Sequence, residues 1–182
     1  MKKVNKFITI ILLVFFSFSA FSQDTSKIKL SKFEEFSSED GILKKMESHK
    51  IGKIKGFVMY KKTTTDVESG KFYNAVEISE KGGFWVVKSG SIVLDEDEIP
   101  SLIKTLKYFG ANVITDECKE ECPSYIYETK SGVYIYCNKT IGAYANNWHI
   151  YLGKSLSLLS AGTIDLETKE LDNLIKLLES YK

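Results

Sequence analysis

Cys118 and Cys122 bracket an acidic loop in the stretch DECKEECP, and a third cysteine, Cys137, follows in YIYCNK. In an oxidising compartment two of three cysteines pair and one is left over. Cys118 and Cys122, close in sequence, are the candidate disulfide; Cys137, at an apolar strand position, is the candidate buried thiol. Adding His149 would assemble three cysteines and a histidine around zinc. The CxxxC spacing is not that of a zinc knuckle, however, and the other two ligands fall on separate strands, so no metal site is expected. Nor does CxxxC supply the CxxC helix start that tunes a redox thiol.

Histidine is scarce: His49 lies in a charged segment, and His149 stands between Trp148 and Ile150 on a strand. A lone histidine in such a place is more often a surface residue than a general base. The chain lacks a GxSxG elbow, an HExxH helix, a P-loop and a GxGxxG turn, so no catalytic residue and no cofactor is assigned. The acids Asp95–Glu98 are accounted for by helix initiation. Those of Asp116–Glu121 lack the alternating ligands and central glycine of a calcium loop.

Aromatic residues remain, at 13% of the chain. On a strand through GVYIYCNK, Tyr134 and Tyr136 share one face, opposite Val133, Ile135 and Cys137. One reading lets the aliphatic set pack on helices while tyrosines and lysines cover an open face. The other makes that face, with turns carrying Trp85 and Trp148, a platform for a partner; the candidate binding residues are then Trp85, Tyr134, Tyr136 and Trp148.

The N-terminus has lysines at 2, 3 and 6, an apolar run from Phe7, and Ala20 and Ser22 before Gln23. That is the form of a secretory signal peptide over residues 1–22, too short and too serine-broken for a spanning helix. An exported chain, periplasmic or secreted, is expected, with no transmembrane segment after cleavage. Cleavage removes three lysines and leaves the 24 acids in slight excess. Every basic residue is lysine; without arginine forks and with near-neutral charge, nucleic acid is excluded as a partner.

These residues need elements to hold them. Residues 23–50 read as a polar lead-in, and residues 51–182 as a single α+β domain. Strands are expected at Lys53–Lys62, Phe72–Ser79, Phe84–Gly90 and Ser91–Asp95. A helix follows, with Ile99, Leu102, Ile103, Leu106 and Phe109 on one face, Asp97 as N-cap and Gly110 as stop. Strands are expected again at Ser124–Thr129, Gly132–Lys139, Asn146–Lys154 and Leu156–Gly162. A helix over Thr168–Tyr181 buries Leu171, Leu174, Ile175 and Leu178.

The helices correspond residue for residue: Glu98 with Glu170, Ile99 with Leu171, Leu102-Ile103-Lys104 with Leu174-Ile175-Lys176, Leu106 with Leu178, and Phe109 with Tyr181. Upstream, Ser69-Gly70 is matched to Ser131-Gly132 and Trp85 to Trp148. Two repeats, about 51–110 and 123–182, follow from this; coincidence between amphipathic helices is the competing account. Pairing two such units gives an internally duplicated fold: one largely antiparallel curved sheet with both helices on one face. This resembles the TATA-binding-protein type of fold. With its DEDEIPSLIKTLKY segment (Asp95–Tyr108), the chain also resembles a group of uncharacterised exported bacterial proteins.

The expected function is an exported, non-enzymatic domain that binds a protein, glycan or apolar ligand of the cell envelope through the open sheet face. The alternative is a structural or accessory module of an envelope complex with no small-molecule ligand. The cysteine assignment has a direct check by intact mass: alkylation of the denatured chain before reduction should label one thiol, and after reduction three. Labelling of all three without reduction rules the pair out.

Overall fold

The computed structural model describes residues 29–80, 91–115, 117–118, 121–142, 145–154 and 164–181. The expected signal peptide, the Trp85 turn and the strands expected at Phe84–Gly90 and Leu156–Gly162 lie outside the described residues. Helix α1 (Lys32–Ser38) comes first, then strands β1 (Lys44–Ile54), β2 (Phe57–Asp66), β3 (Phe72–Glu80) and β4 (Ile92–Asp95). A single 3-10 turn (Glu96–Glu98) leads into α2 (Ile99–Tyr108), which runs on into a wide turn (Phe109–Val113). The second half holds β5 (Tyr125–Glu128), β6 (Tyr134–Gly142), β7 (Ala145–Gly153), β8 (Ile164–Glu167) and α3 (Thr168–Glu179).

The class is α+β and all strand pairing is antiparallel among the described residues. The expected continuous sheet is instead two: β1-β2-β3-β4 and β5-β6-β7-β8, each in chain order. Consecutive strands pair with their neighbours in sequence. The α2 segment and the long connection after it separate β4 from β5, so β5 opens a new sheet.

Several boundaries differ from the sequence expectation. Residues 23–50 are not a lead-in throughout, because α1 and most of β1 fall inside them. Strand β1 reads as polar because it is an edge strand, and its lysines guard that edge. The strand expected over Lys53–Lys62 is broken by Lys55 and Gly56, both at positive φ (41° and 84°), which form a two-residue hairpin turn. The first helical turn starts after Asp95, not Asp97. Gly110 does not stop the helix, which widens and continues to Val113. Ser69-Gly70 lies between β2 and β3, whereas Ser131-Gly132 lies between β5 and β6, so the two are not equivalent in strand order. By strand order the turn that corresponds to Ser131-Gly132 is Lys55-Gly56, with Gly56 and Gly132 both at positive φ.

The inner faces of both sheets and the two long helices share one core. Met59, Val76, Ile78 and Leu94 meet Ile135, Cys137, Ile150, Leu152 and Leu166, with Leu102, Leu106, Leu171, Leu174 and Leu178 from the helices. Each leucine fully buried this way contributes about 1.5–3 kcal/mol. Gly52, at an irregularity of the β1–β2 register, lets α3 come close: a Cβ there would fall 2.3 Å from Leu177 Cδ2. Helix α1 packs on the opposite face of the first sheet, where Phe33 joins Ala75, Val93 and Tyr73. The Phe36 ring meets Tyr73 at a tilt, with centroids 4.9 Å apart, and Ser37 hydrogen-bonds Thr64 at 3.0 Å.

Two buried acids join these parts. The Asp95 carboxylate accepts the amide N–H groups of Lys32 (2.8 Å) and Phe33 (3.0 Å) at the start of α1. Glu98 accepts the amide N–H of Ser131 (2.8 Å), the Ser131 hydroxyl (2.6 Å) and the Asp95 amide (3.2 Å). Burial raises the Asp95 carboxyl above its usual range, against the pull of the two amides. Replacing Glu98 with alanine leaves three donors without their acceptor. The expected loss is about 2–4 kcal/mol of unfolding free energy in a urea titration; a loss under about 0.5 kcal/mol would show the acid to be dispensable.

Candidate binding face on the second sheet

Alternation along β6 sends Ile135 and Cys137 into the core and leaves Tyr134, Tyr136 and Asn138 half-buried on the other side. Along β7, Trp148, Ile150 and Leu152 point inward, and His149 and Tyr151 share the face of Tyr136. Strand register then lines up one residue from each strand. Ile126 of β5 faces Tyr136, Tyr136 faces Tyr151, and Tyr151 faces Asp165 of β8. A row of apolar, aromatic and acidic groups therefore crosses the sheet from edge to edge.

The row is internally organised. The Tyr136 and Tyr151 rings are 6.1 Å apart at 31°, and His149 stacks on Tyr151 at 6.0 Å and 16°. His149 Nδ1 lies 3.0 Å from Asp165 Oδ1, which fixes the imidazole and leaves Nε2 as its other ring nitrogen. The Tyr136 hydroxyl shares a hydrogen bond with Ser124 Oγ at 2.9 Å. Ile126, at 58% exposed, ends the row with an open apolar side chain. Burial, then the nearby Asp165 charge and then Tyr136, raise the Tyr151 hydroxyl above the usual tyrosine value, so it is a neutral donor at physiological pH.

The four expected binding residues separate. Tyr136 is central to the row. Tyr134 is on the same face one position along, opposite Gly153 and Glu128. Trp148 is neither on a turn nor on the open face: it lies within β7, 4% exposed, with Tyr125 at 6.3 Å and Lys139 Nζ 5.9 Å from its ring. Period-two alternation forces this, since Trp148 neighbours outward-facing His149. Trp85 lies outside the described residues. Tyr151 was visible in sequence as a strand aromatic. Asp165 was not, because the four-residue strand β8 carries too short a pattern to read.

The cysteines take no part in this face. Cys118 and Cys122 are joined by a disulfide with a Cα–Cα distance of 5.6 Å, and Lys139 Nζ donates to the Cys118 carbonyl at 2.6 Å. Cys137 is a fully buried free thiol whose pKa burial pushes up to about 12, which makes it a poor nucleophile. Among the described residues no cluster of three or more His, Cys, Asp or Glu could hold a metal ion, and no helix is long and apolar enough to cross a membrane. No protein-family model matches the chain, and no curated protein does.

If Asp165 faces Tyr151 as described, neutralising it must ease the tyrosine's ionisation. In Asp165→Asn the Tyr151 titration, followed by the ring Cζ resonance, should move down toward 10. A titration unchanged from wild type would contradict the arrangement.

Proposed function

We propose that the chain is an exported, non-enzymatic domain that holds a glycan of the cell envelope on the open face of its second sheet. The observation that carries this reading is the row Ile126–Tyr136–Tyr151–Asp165, with His149 stacked beside it. Aromatic faces take the apolar C–H faces of a sugar ring, while fixed polar groups at the flank pair with its hydroxyls. Here those groups are the His149–Asp165 pair and Asn138, which faces His149 across the β6–β7 register. The Asn138 side-chain oxygen is enclosed and has no hydrogen-bond partner among the described residues.

The reading extends to construction and location. Two copies of a four-strand-then-helix unit account for the matching order of elements and for the alike-buried stripes of α2 and α3. The N-terminal lysines and apolar run support export. The non-enzymatic reading takes His149, paired with Asp165 and stacked on Tyr151, as a fixed flank of the aromatic row rather than as a base.

An array of envelope polysaccharide fragments tests the proposal directly. Wild type is expected to retain at least one glycan, and the double variant Tyr136→Ala with Tyr151→Ala to lose about tenfold or more in affinity at an unchanged melting temperature. Retention of no glycan, or equal retention by the double variant, would overturn it.

A further inference from the structure

A cleft between the two long helices lies apart from that face. It sits between the start of α2 and the end of α3, has a volume of about 600 Å³, and is lined by Ile99, Pro100 and Ile103 on one side and Leu178 and Tyr181 on the other. Glu96 and Glu179 stand at its margin. The size lies within the range of small-molecule sites, and the lining is mostly apolar.

Two polar groups there have bonding capacity to spare among the described residues. The Tyr181 side chain is 4% exposed, and its hydroxyl has no hydrogen-bond partner among the described residues. A buried hydroxyl without a partner is unfavourable, and native folds seldom keep one unless something else meets it. Glu96 is exposed and accepts from Asn74 Nδ2 at 2.9 Å, but it makes no ion pair among the described residues. Glu179, by contrast, is already neutralised by Lys107 at 2.7 Å. Glu96 lies near enough to Tyr181 for its charge, after burial, to raise the hydroxyl above the usual tyrosine range. The ring is held from elsewhere by Lys61, whose Nζ lies 4.8 Å from its centroid and donates to the Tyr181 carbonyl at 3.4 Å.

The geometry points to a binding site for a small amphiphile carrying a primary ammonium group. Its apolar body lies between Ile99, Pro100, Ile103 and Leu178, and its nitrogen donates to the Glu96 carboxylate and the Tyr181 hydroxyl oxygen. The charge selects the ligand: a carboxylate with no ion pair among the described residues attracts a cation and repels an acid of the same length. The site is separate from the open face of the second sheet and does not depend on it.

Hexylammonium, hexanol and hexanoate, titrated at constant ionic strength into the nitrogen-15-labelled full chain, distinguish the outcomes. Hexylammonium should give saturable amide shifts at Ile99, Ile103, Leu178 and Tyr181, with hexanoate about tenfold weaker. Glu96→Gln should bring hexylammonium down to the level of hexanol. Tyr181→Phe removes a hydroxyl that has no partner among the described residues, so it should keep the wild-type melting temperature and weaken hexylammonium about fivefold. Absent shifts, equal binding of hexanoate, or wild-type affinity in Tyr181→Phe would each overturn the assignment. Should that variant not fold, Ile103→Trp carries the test by filling the cleft from its opposite wall, and shifts that persist there defeat it.

Discussion

Two carboxylates taken out of water set the terms for this fold. Asp95 and Glu98 are 6% and 4% exposed, a placement tolerated only when every oxygen finds donors. Their donors come from three segments far apart in sequence: the start of α1, the corner between β4 and α2, and the hairpin between β5 and β6. A displacement of any one of them leaves a buried charge short of partners. The node therefore ties α1 to the first sheet and the second sheet to the corner before α2.

The corresponding corner in the second half shows what the node adds. Glu167 and Glu170 frame the start of α3 much as Asp95 and Glu98 frame the turn before α2, and the Glu167 amide donates to Glu170 at 2.9 Å. Yet both reach solvent, and their other partners are the ammonium groups of Lys55 and Lys169. Exposed, solvent-screened pairs of that kind contribute little, even though Lys55 reaches them from the hairpin between β1 and β2. One motif thus serves as a seam where it is buried and as an ordinary helix start where it is not.

The seam also decides which surface remains for a partner. Because Asp95 anchors the start of α1, that helix lies along the outer face of the first sheet and covers Ala75 and Val93. Among the described residues the outer face of the second sheet has no such cover over Tyr136 and Tyr151. Among the described residues the aromatic row is thus uncovered where the equivalent surface of the first sheet carries α1. On their own side, α2 and α3 bury their leucine stripes and leave between them the cleft lined by Ile99, Ile103, Leu178 and Tyr181.

Much of this was legible from residue order alone. The helix stripes through Leu102, Leu106, Leu174 and Leu178, the antiparallel class, the inward-facing Cys137 and the outward-facing Tyr134 and Tyr136 all follow from periods of 3.6 and 2, which are properties of local geometry. What escaped depended on contacts between distant segments or on patterns too short to carry a period. The polar strand β1 has no alternation because it lies at an edge. Helix α1 is too brief to show a stripe, and β8 is too brief to reveal Asp165. The acids of Asp95–Glu98 announced a helix start, but local sequence holds no sign that Lys32, Phe33 and Ser131 would bring their donors to them. Sequence determined which face of each element is apolar; only the tertiary structure decided which faces meet, because burial of a charge is settled by the partners that arrive around it.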